Sequence, residues 1–325
     1  MRNYIRICGL LLCLALFATA FLVGAEEPAN ATPTTATAAE KERITRILLL
    51  GCDRASGLAD SILLVSINEG ERSTSVLQIP RDTYAEYTAK DYKKINGALA
   101  TLGENGMKAF FSSTLGVPIH HFAVVKLDLF CKMVDAVGGV DVDVPQKMEY
   151  HDPAQNLHIA LEAGEQHLDG KTAEHFVRYR SGYVNADLGR LDAQKLFLRA
   201  FAHKCRELTT ADYFRLAGVS LTGVQTDLGI GDVIRLGTVL RECDPETVPM
   251  QTLAGQAVKG QSGAWYYVLN RDGACRQINE LTYPTSFLNL TDFDVDGLFD
   301  RVQNPQFHNV YTAAENALPL VFNPY

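Results

Sequence analysis

The sequence lacks an excess of positive charge. Its 30 Lys and Arg residues are outnumbered by 38 Asp and Glu residues, which gives a net charge of −8. Proteins that bind duplex nucleic acid normally need a basic face to neutralise phosphates. The composition therefore argues against nucleic acid as a partner.

Cysteine is too sparse for a disulfide scaffold, since the chain has seven in 325 residues. Three lie in apolar stretches that favour small buried thiols, namely Cys52, Cys131 and Cys205. Cys243 and Cys275 can pair if the protein is exported to an oxidising compartment, and the sequence leaves this open. Three histidines show no metal-ligand spacing and are interpreted as loop residues, namely His120, His121 and His151.

The N-terminal segment is a long apolar run without any charge. It extends for nineteen residues from Ile7 to Ala25, with Arg2 and Arg6 before it. At about 1.5 Å per residue, a helix of this length nearly matches a hydrocarbon core of roughly 30 Å. The preceding positive charges orient its N-terminus towards the cytoplasm. Residues 1–25 are therefore predicted to be a single-pass anchor in the cell membrane, with the rest of the chain extracytoplasmic.

A cleaved signal peptide is the alternative, because Val23-Gly24-Ala25 resembles a small-residue cleavage site. Either alternative exports the globular part. Residues 26–43 are mostly Ala, Thr and Pro, a composition that cannot bury a core and is typical of a flexible spacer. After this spacer we predict a main domain at 44–276 and a C-terminal extension at 277–325 that packs on it.

Alternating strands and helices predict the fold class. Short apolar runs typical of buried strands occur at 46–51, 61–67, 74–79 and 122–127, and residues 140–144 alternate as in a half-exposed strand. Apolar residues at helical spacing predict helices around 107–115, 130–137, 169–179 and 188–207, with Asp169 as the cap of the third. This order predicts an α/β fold in three layers, a mixed central sheet with helices on both faces.

Charged residues follow the predicted strands at the positions where open α/β sheets bind ligands. Asp53 follows the first strand and Asp60 precedes the second, so their carboxylates can converge on Mg²⁺. Arg81 follows Pro80 at the end of the third strand, and its planar fork suits a diphosphate. Lys94 and Asn96 form a further possible phosphate contact. Solvated loop residues are the alternative at each position.

A second group of charged residues lies around the last predicted helix. Arg178 and Arg180 point the same way only if the chain is extended there. Asp187, Arg190 and Gln194 are spaced by three and four residues and so share one helical face. The group can be a solvated ion network or part of an anion site.

Taken in order, these segments resemble the signature blocks of the LytR-CpsA-Psr family. The resemblance covers about Ile44 to Arg206 and includes the blocks 46–53, 60–63, 79–83, 94–96, 137–140, 164–170 and 178–194. This chain departs from the family pattern at two positions. Many members carry Arg where this chain has Leu58, and many carry Arg where it has Ala193.

The resemblance implies a phosphotransferase on the outer face of the membrane. Such enzymes move a glycan with one phosphate from a polyprenyl pyrophosphate carrier to a hydroxyl of peptidoglycan. By this resemblance Asp53 and Asp60 hold Mg²⁺ at the pyrophosphate, and its oxygens contact Arg81, Arg178, Arg180 and Arg190. Gln194 matches a polar partner of the same site, and Asp53 or Asp187 is the candidate base. A hydrophobic tunnel between sheet and helices takes the lipid, although each aromatic residue of the helices also fits a core.

Two other functions compete with this one. A non-catalytic binder of polyprenyl lipids or wall glycans would use the same arginines without needing the acidic pair. A transcription regulator, an older description of the family, is disfavoured by the acidic composition. If the enzyme interpretation holds, we expect Arg81→Ala and Arg178→Ala to reduce transfer sharply and leave the fold intact.

Overall fold

The computed structural model describes residues 43–53, 57–85, 87, 94–153, 157–183, 187–259, 263–283 and 288. Its strands are β1 (Ile44–Cys52), β2 (Ala59–Asn68), β3 (Ser73–Ile79), β4 (His121–Lys126), β5 (Val140–Val144), β6 (Met148–Asp152), β7 (Leu157–Leu161), β8 (Gly164–Leu168), β9 (Gln225–Thr226), β10 (Met250–Thr252), β11 (Gly255–Lys259) and β12 (Trp265–Leu269). Its helices are α1 (Ala98–Leu115), α2 (Leu127–Ala136), α3 (Gly170–Arg178), α4 (Asp187–Arg206), α5 (Thr210–Gly223), α6 (Ile230–Glu242) and α7 (Arg271–Leu281).

The central sheet has six strands in the order β10-β3-β2-β1-β4-β9. Strand β2 is antiparallel to both β1 and β3, whereas β4 runs parallel to β1 and β10 runs parallel to β3. The sheet is therefore mixed, as predicted. Three small two-stranded units, β5-β8, β6-β7 and β11-β12, lie outside it.

Two apolar cores lie on opposite faces of the sheet because alternate side chains of β1 and β2 point to opposite sides. Ile47 and Leu49 belong to the core that α2, α4, α5 and α6 complete. Leu48 and Leu50 belong to the core that α1 and α7 complete. This arrangement confirms the three-layer prediction and explains the continuous apolar runs at 47–50 in β1 and 62–65 in β2.

Several predicted elements match closely. The helix predicted at 188–207 is α4, and the helix predicted at 169–179 is α3. Asp169 caps α3 as expected, since its side chain accepts a hydrogen bond of 2.8 Å from the backbone N of Thr172. The strand predicted at 140–144 is β5, whose side chains alternate between buried and exposed.

The pairing of Cys243 with Cys275, which the sequence leaves open, is not formed in the structure. Both thiols are free. Cys243 packs in the core under α6, and Cys275 packs in the core under α7 on the other face of the sheet. The sheet itself separates them, so no backbone adjustment brings the two sulfur atoms together.

The predicted start of the C-terminal extension, residue 277, falls inside α7. Ile278 and Leu281 are buried in the second core. The buried Arg46 then donates hydrogen bonds of 2.6 Å to the carbonyl oxygens of Thr282 and Tyr283. Residues 277–283 are thus an integral part of the domain that begins at β1.

The predicted anchor (1–25) and nearly all of the predicted spacer (26–43) lie outside the described residues, as does 289–325. Within the part that is described, no helix combines the length and apolar character that a membrane crossing requires.

Candidate active site

The strand ends converge at one edge of the sheet. Asp53 directly follows β1, and Asp60 is the second residue of β2. Because β1 and β2 are antiparallel, Gly51 pairs with Ser61, which brings the two aspartates to the same edge. Ile79 pairs with Ile62, so Arg81, just beyond β3, reaches this edge as well. The placement predicted for these three residues agrees with the structure.

The remaining charged groups come from the end of α3, the chain just after it, and α4. Arg178 lies in the last turn of α3, where the chain turns extended at Tyr179 with φ −61° and ψ 137°. This break carries Arg180 to the same cavity as Arg178. On α4, Asp187 is the first residue, and Arg190 and Gln194 follow on the same face. The structure thus brings both predicted charged groups together.

Asp187 is the hub of an ion network. Its Oδ1 lies 3.0 Å from an Nη of Arg190, 3.6 Å from Nε of Arg180 and 3.8 Å from Nε of Arg81. Arg81 also donates through Nη1 to Asp60. One carboxylate therefore orients three guanidinium groups that come from a strand end, a loop and a helix.

The pKa values of two of these arginines shift in opposite directions. The side chain of Arg190 is 5% exposed, and this burial lowers its pKa to about 10, with Asp187 opposing the shift. For Arg81, burial alone would lower the pKa, but the attraction of Asp60 and Asp187 raises it overall. Both guanidinium groups remain charged at neutral pH.

Three buried polar atoms of this network have no hydrogen-bond partner among the described residues, namely Nε of Arg81, Nε of Arg190 and Oδ1 of Asp187. Among these three atoms, Nε of Arg81 and Oδ1 of Asp187 lie 3.8 Å apart, beyond hydrogen-bond distance. Buried donors in proteins are nearly always satisfied. Two unsatisfied guanidinium donors in one network fit a bound anion.

The charged groups open onto a cavity of about 700 Å³. Asp53, Asp60 and the four arginines line its polar part. Its apolar part is lined by side chains of the sheet, the helices and the β6-β7 unit: Leu63, Val125, Leu127, Phe130, Leu157, Val177, Phe197 and Leu198. A molecule with an anionic head and a long apolar tail matches this division.

Gln194 connects the site to the sheet. Its Oε1 accepts a hydrogen bond of 3.0 Å from Nε2 of Gln78, a fully buried residue of β3, and lies 3.5 Å from Oγ of Ser61. Its Nε2 donates to the carbonyl oxygen of Val177 at 3.3 Å. Gln194 therefore fixes α4 relative to β2, β3 and α3.

Lys94 and Asn96 do not line the cavity. Nζ of Lys94 lies 2.9 Å from a carboxylate oxygen of Asp82 and 5.7 Å from the ring centre of Tyr266. The backbone N of Asn96 donates to the carbonyl oxygen of Arg81 at 3.1 Å. Both residues brace the segment that carries Arg81, whereas the sequence predicted direct contact with substrate.

Cys52 is the thiol that lines the cavity. Burial raises its pKa to about 12, and the nearby carboxylates of Asp53 and Asp60 act in the same direction. The thiol is protonated at neutral pH, so it is unsuited to nucleophilic attack.

The donor set can be compared with the needs of Mg²⁺. Asp53 and Asp60 both face the cavity. Among the described residues, no group of three or more His, Cys, Asp or Glu side chains is placed to hold a metal. Mg²⁺ is commonly bound by one or two carboxylates together with substrate phosphates and water. Two aspartates beside an arginine-lined anion site fit that mode.

Two features of the site were not identified from the sequence. Glu174 in α3 is fully buried and binds Arg178 at 2.8 Å, and its spacing of four residues before that arginine was the available signal. Tyr150 and Leu157, from the β6-β7 unit, line the cavity. Nothing in their local pattern distinguishes them from ordinary hairpin residues.

Comparison with known proteins gives a consistent result. The LytR_cpsA_psr family profile matches residues 20–282. The teichoic acid transferase TagU of Bacillus mycoides, named as a polyisoprenyl-teichoic acid–peptidoglycan enzyme, is 32% identical over 235 residues, 70% of this chain and 74% of its own length. The corresponding TagU of Bacillus cereus is also 32% identical, over 237 residues with the same coverage.

Solved structures share the fold. The crystal structure of TagV from B. subtilis superposes with a TM-score of 0.64 at 23% identity, covering 75% of this chain and 97% of that one. A structure described as TagT bound to LI-WTA has a TM-score of 0.60 at 22% identity and covers 79% and 94%. On the strength of the profile match and the TagU relatives, the chain belongs to the LytR-CpsA-Psr family.

Proposed function

We propose that this protein transfers a phosphoglycan from a polyprenyl pyrophosphate carrier to a hydroxyl of peptidoglycan. The observation that carries the proposal is the divided cavity, whose lining by Arg81, Arg178, Arg180 and Arg190 continues directly into an apolar lining. The TagU relatives are named as transferases of this kind. A teichoic acid or a related glycan phosphate is the cargo that these names support.

The reaction joins the acceptor to the phosphorus nearer the glycan. The acceptor oxygen attacks this phosphorus, the bond to the oxygen that bridges the two phosphates breaks, and polyprenyl phosphate leaves with the electron pair. The acceptor proton passes to a carboxylate, for which Asp53, which lines the cavity, and Asp187, which lies behind the arginines that line it, are the candidates. The arginines hold the pyrophosphate oxygens and stabilise the negative charge that develops on them.

Asp53 and Asp60 are the residues that would hold Mg²⁺. Bound Mg²⁺ supplies positive charge that neutralises phosphate oxygens. Asp60 also pairs with Arg81, so the same carboxylate orients one of the arginines that face the phosphates. Residues 1–25 supply the membrane anchor in this proposal, and the catalytic domain lies on the extracytoplasmic side, where lipid carrier and peptidoglycan meet.

The test is a transfer assay with a synthetic polyprenyl pyrophosphate glycan and peptidoglycan oligomers, with and without Mg²⁺. We expect Arg81→Ala, Asp53→Asn and Asp60→Asn each to reduce kcat by roughly 10²–10³-fold, the range for loss of one preorganised charge contact. Asp192→Asn is the matched control, because its side chain is 68% exposed on α4 and pairs with Lys195 outside the cavity.

The outcomes separate the two candidate functions. Turnover by the unaltered protein that requires Mg²⁺ and both aspartates supports the transferase. A protein that binds the lipid with full affinity after both aspartate substitutions, and never turns it over, is the non-catalytic binder.

A further inference from the structure

Glu174 is a charged residue in the interior of the protein. It lies in the middle of α3 with an exposed fraction of 0%, next to Ala173 and close to Phe176 in the core. An ionised carboxylate in such a place is unfavourable unless a cation pairs with it. It does not line the cavity. The buried carboxylate therefore needs a cationic partner that offsets the cost of its desolvation.

That partner is Arg178. An Nη1 of Arg178 donates to Oε1 of Glu174 at 2.8 Å, one helical turn away. Nζ of Lys171 lies 3.6 Å from Oε2, but its side chain is 59% exposed and its attraction is screened by solvent. The thiol of Cys131 lies 3.5 Å from the same Oε2. The buried carboxylate is thus hydrogen-bonded to a guanidinium that lines the cavity.

The contact with Glu174 restrains the side chain of Arg178. Arg178 is in the last turn of α3, and its side chain is 28% exposed. A free arginine side chain loses considerable rotamer entropy when it is fixed on a ligand. A carboxylate in a rigid helix, itself held on all sides by the core, fixes one edge of the guanidinium before the ligand arrives.

We propose that Glu174 is a positioning residue that holds Arg178 in place for the anionic head of the substrate. This inference rests on the proposed function for the identity of the substrate. It gives a role to a residue that is not among the charged site residues identified from the sequence. Glu174 acts only through Arg178 and touches no reacting atom. Because Glu174 orients Arg178 before the substrate binds, the entropic cost of ordering this arginine does not arise in each turnover.

The experiment is a double-mutant comparison of Glu174→Leu and Arg178→Gln. Leucine fills the buried volume without charge. We expect Glu174→Leu to lower kcat/KM for transfer by roughly tenfold to a hundredfold, the scale expected for a catalytic group displaced by about 1 Å. In the Arg178→Gln background the same substitution should cause no further loss. Thermal unfolding of each variant verifies that it is folded.

Several results overturn the inference. An unchanged kcat/KM in Glu174→Leu overturns it. Additive losses in the double variant also overturn it, because a purely structural residue gives additive losses. Glu174→Gln, which keeps the side-chain shape, provides the same comparison if the leucine variant does not fold. Lys171→Ala is the control and should keep full transfer, since its ammonium is exposed.

Calorimetric binding of geranyl pyrophosphate separates this inference from the proposed function. If the unaltered protein shows no transfer, the proposed function fails. The affinity for this probe still reports on Glu174, with the same non-additive pattern expected. Equal affinity of the unaltered protein and Glu174→Leu contradicts the positioning role whatever the reaction.

Discussion

Among the individual residues of the site, Arg178 has two roles that one substitution removes together. It lines the cavity, and it neutralises the fully buried Glu174. The expectation that Arg178→Ala leaves the fold intact is therefore revised. We predict that this substitution lowers the free energy of unfolding by about 3–5 kcal/mol, because it leaves a buried charge without its partner.

The double variant Arg178→Ala/Glu174→Leu should recover most of that stability while transfer stays low. Urea unfolding measures the first effect and the transfer assay the second. Arg180→Ala is the matched comparison, because its side chain is 48% exposed and lies 3.6 Å from Asp187, so its loss should change stability little. A stable Arg178→Ala variant with Glu174 intact would contradict the prediction.

The sequence predicts some site residues better than others for a physical reason. Asp53, Asp60 and Arg81 lie at or next to the ends of β1, β2 and β3, and the ends of neighbouring strands meet at one edge of a sheet. Glu174 was missed because a glutamate within a helix normally faces solvent. Lys94 fits a phosphate by residue type, but its contact with Asp82 depends on tertiary structure.

At the scale of elements, α2 and α3 approach closely at Gly170. A Cβ at this position would lie 2.2 Å from the carbonyl oxygen of Cys131 in α2. The backbone N of Gly170 also donates to Asp135 at 2.7 Å. We predict that Gly170→Ala lowers the free energy of unfolding by roughly 1–3 kcal/mol through overpacking, and that it reduces transfer because α3 carries Arg178.

Gly218→Ala in α5 is the control for this prediction. Gly218 is exposed, and no atom of a neighbouring element lies within 4 Å of the position that a Cβ would take there. Alanine should therefore stabilise the helix by about 0.5–1 kcal/mol. Urea unfolding of both variants measures the contrast, and a Gly170→Ala protein as stable as the unaltered one would show that the two helices move apart without cost.

A second inter-element contact makes stability depend on pH. Asp227, beyond β9, receives hydrogen bonds from Lys108 of α1 and, at 2.9 Å, from the backbone N of Phe122 in β4. His121 Nδ1 lies 3.4 Å away. Burial alone would raise the pKa of Asp227, but these donors lower it from 3.8 to about 2. The folded state therefore favours the ionised carboxylate.

Because the folded pKa lies below the unfolded one, the stabilisation is fully present above about pH 4. It is lost as the pH falls through 2, and it amounts to about 2 kcal/mol. We predict that Asp227→Asn lowers stability at pH 7 and weakens the dependence between pH 4 and pH 2. Urea unfolding at several pH values tests this. Asp141→Asn, whose side chain is 77% exposed, should leave the curve unchanged.

The elements differ in how well the sequence predicts them. Strands β1 and β2 are buried on both faces, so their apolar runs at 47–50 and 62–65 stand out. Strand β6 buries only its first residue fully, and β9 and β10 have two and three residues, so local pattern cannot reveal them. Strands β9 and β10 exist because they pair with β4 and β3, which are distant in sequence, whereas β6 pairs with the neighbouring β7.

At the scale of the whole molecule, the cavity lies on the face of the sheet that α2, α3 and α4 cover. Leu63, Val125, Phe130 and Phe197 belong both to the cavity lining and to the core of this face. The aromatic residues Phe130 and Phe197 are thus compatible with both alternatives, core and lipid tunnel, because the cavity is an unfilled part of that core. Periodicity could not separate the two.

The affinity of the cavity for a lipid should depend on the length of the lipid chain. Each methylene that enters an apolar cavity contributes about 0.8 kcal/mol, so affinity for prenyl pyrophosphates should rise from inorganic pyrophosphate to geranyl and farnesyl pyrophosphate. Leu198→Asn should weaken binding of the prenyl compounds and leave inorganic pyrophosphate unaffected, because Leu198 lines the apolar part.

Leu196→Asn is the matched control on the same helix. Leu196 is 41% exposed and is not a cavity residue, so this substitution should change neither affinity. Calorimetric titration of the three ligands against both variants measures the contrast. If Leu198→Asn and Leu196→Asn bind farnesyl pyrophosphate equally well, the prenyl chain lies outside the cavity, and the division into a charged and an apolar part has another purpose.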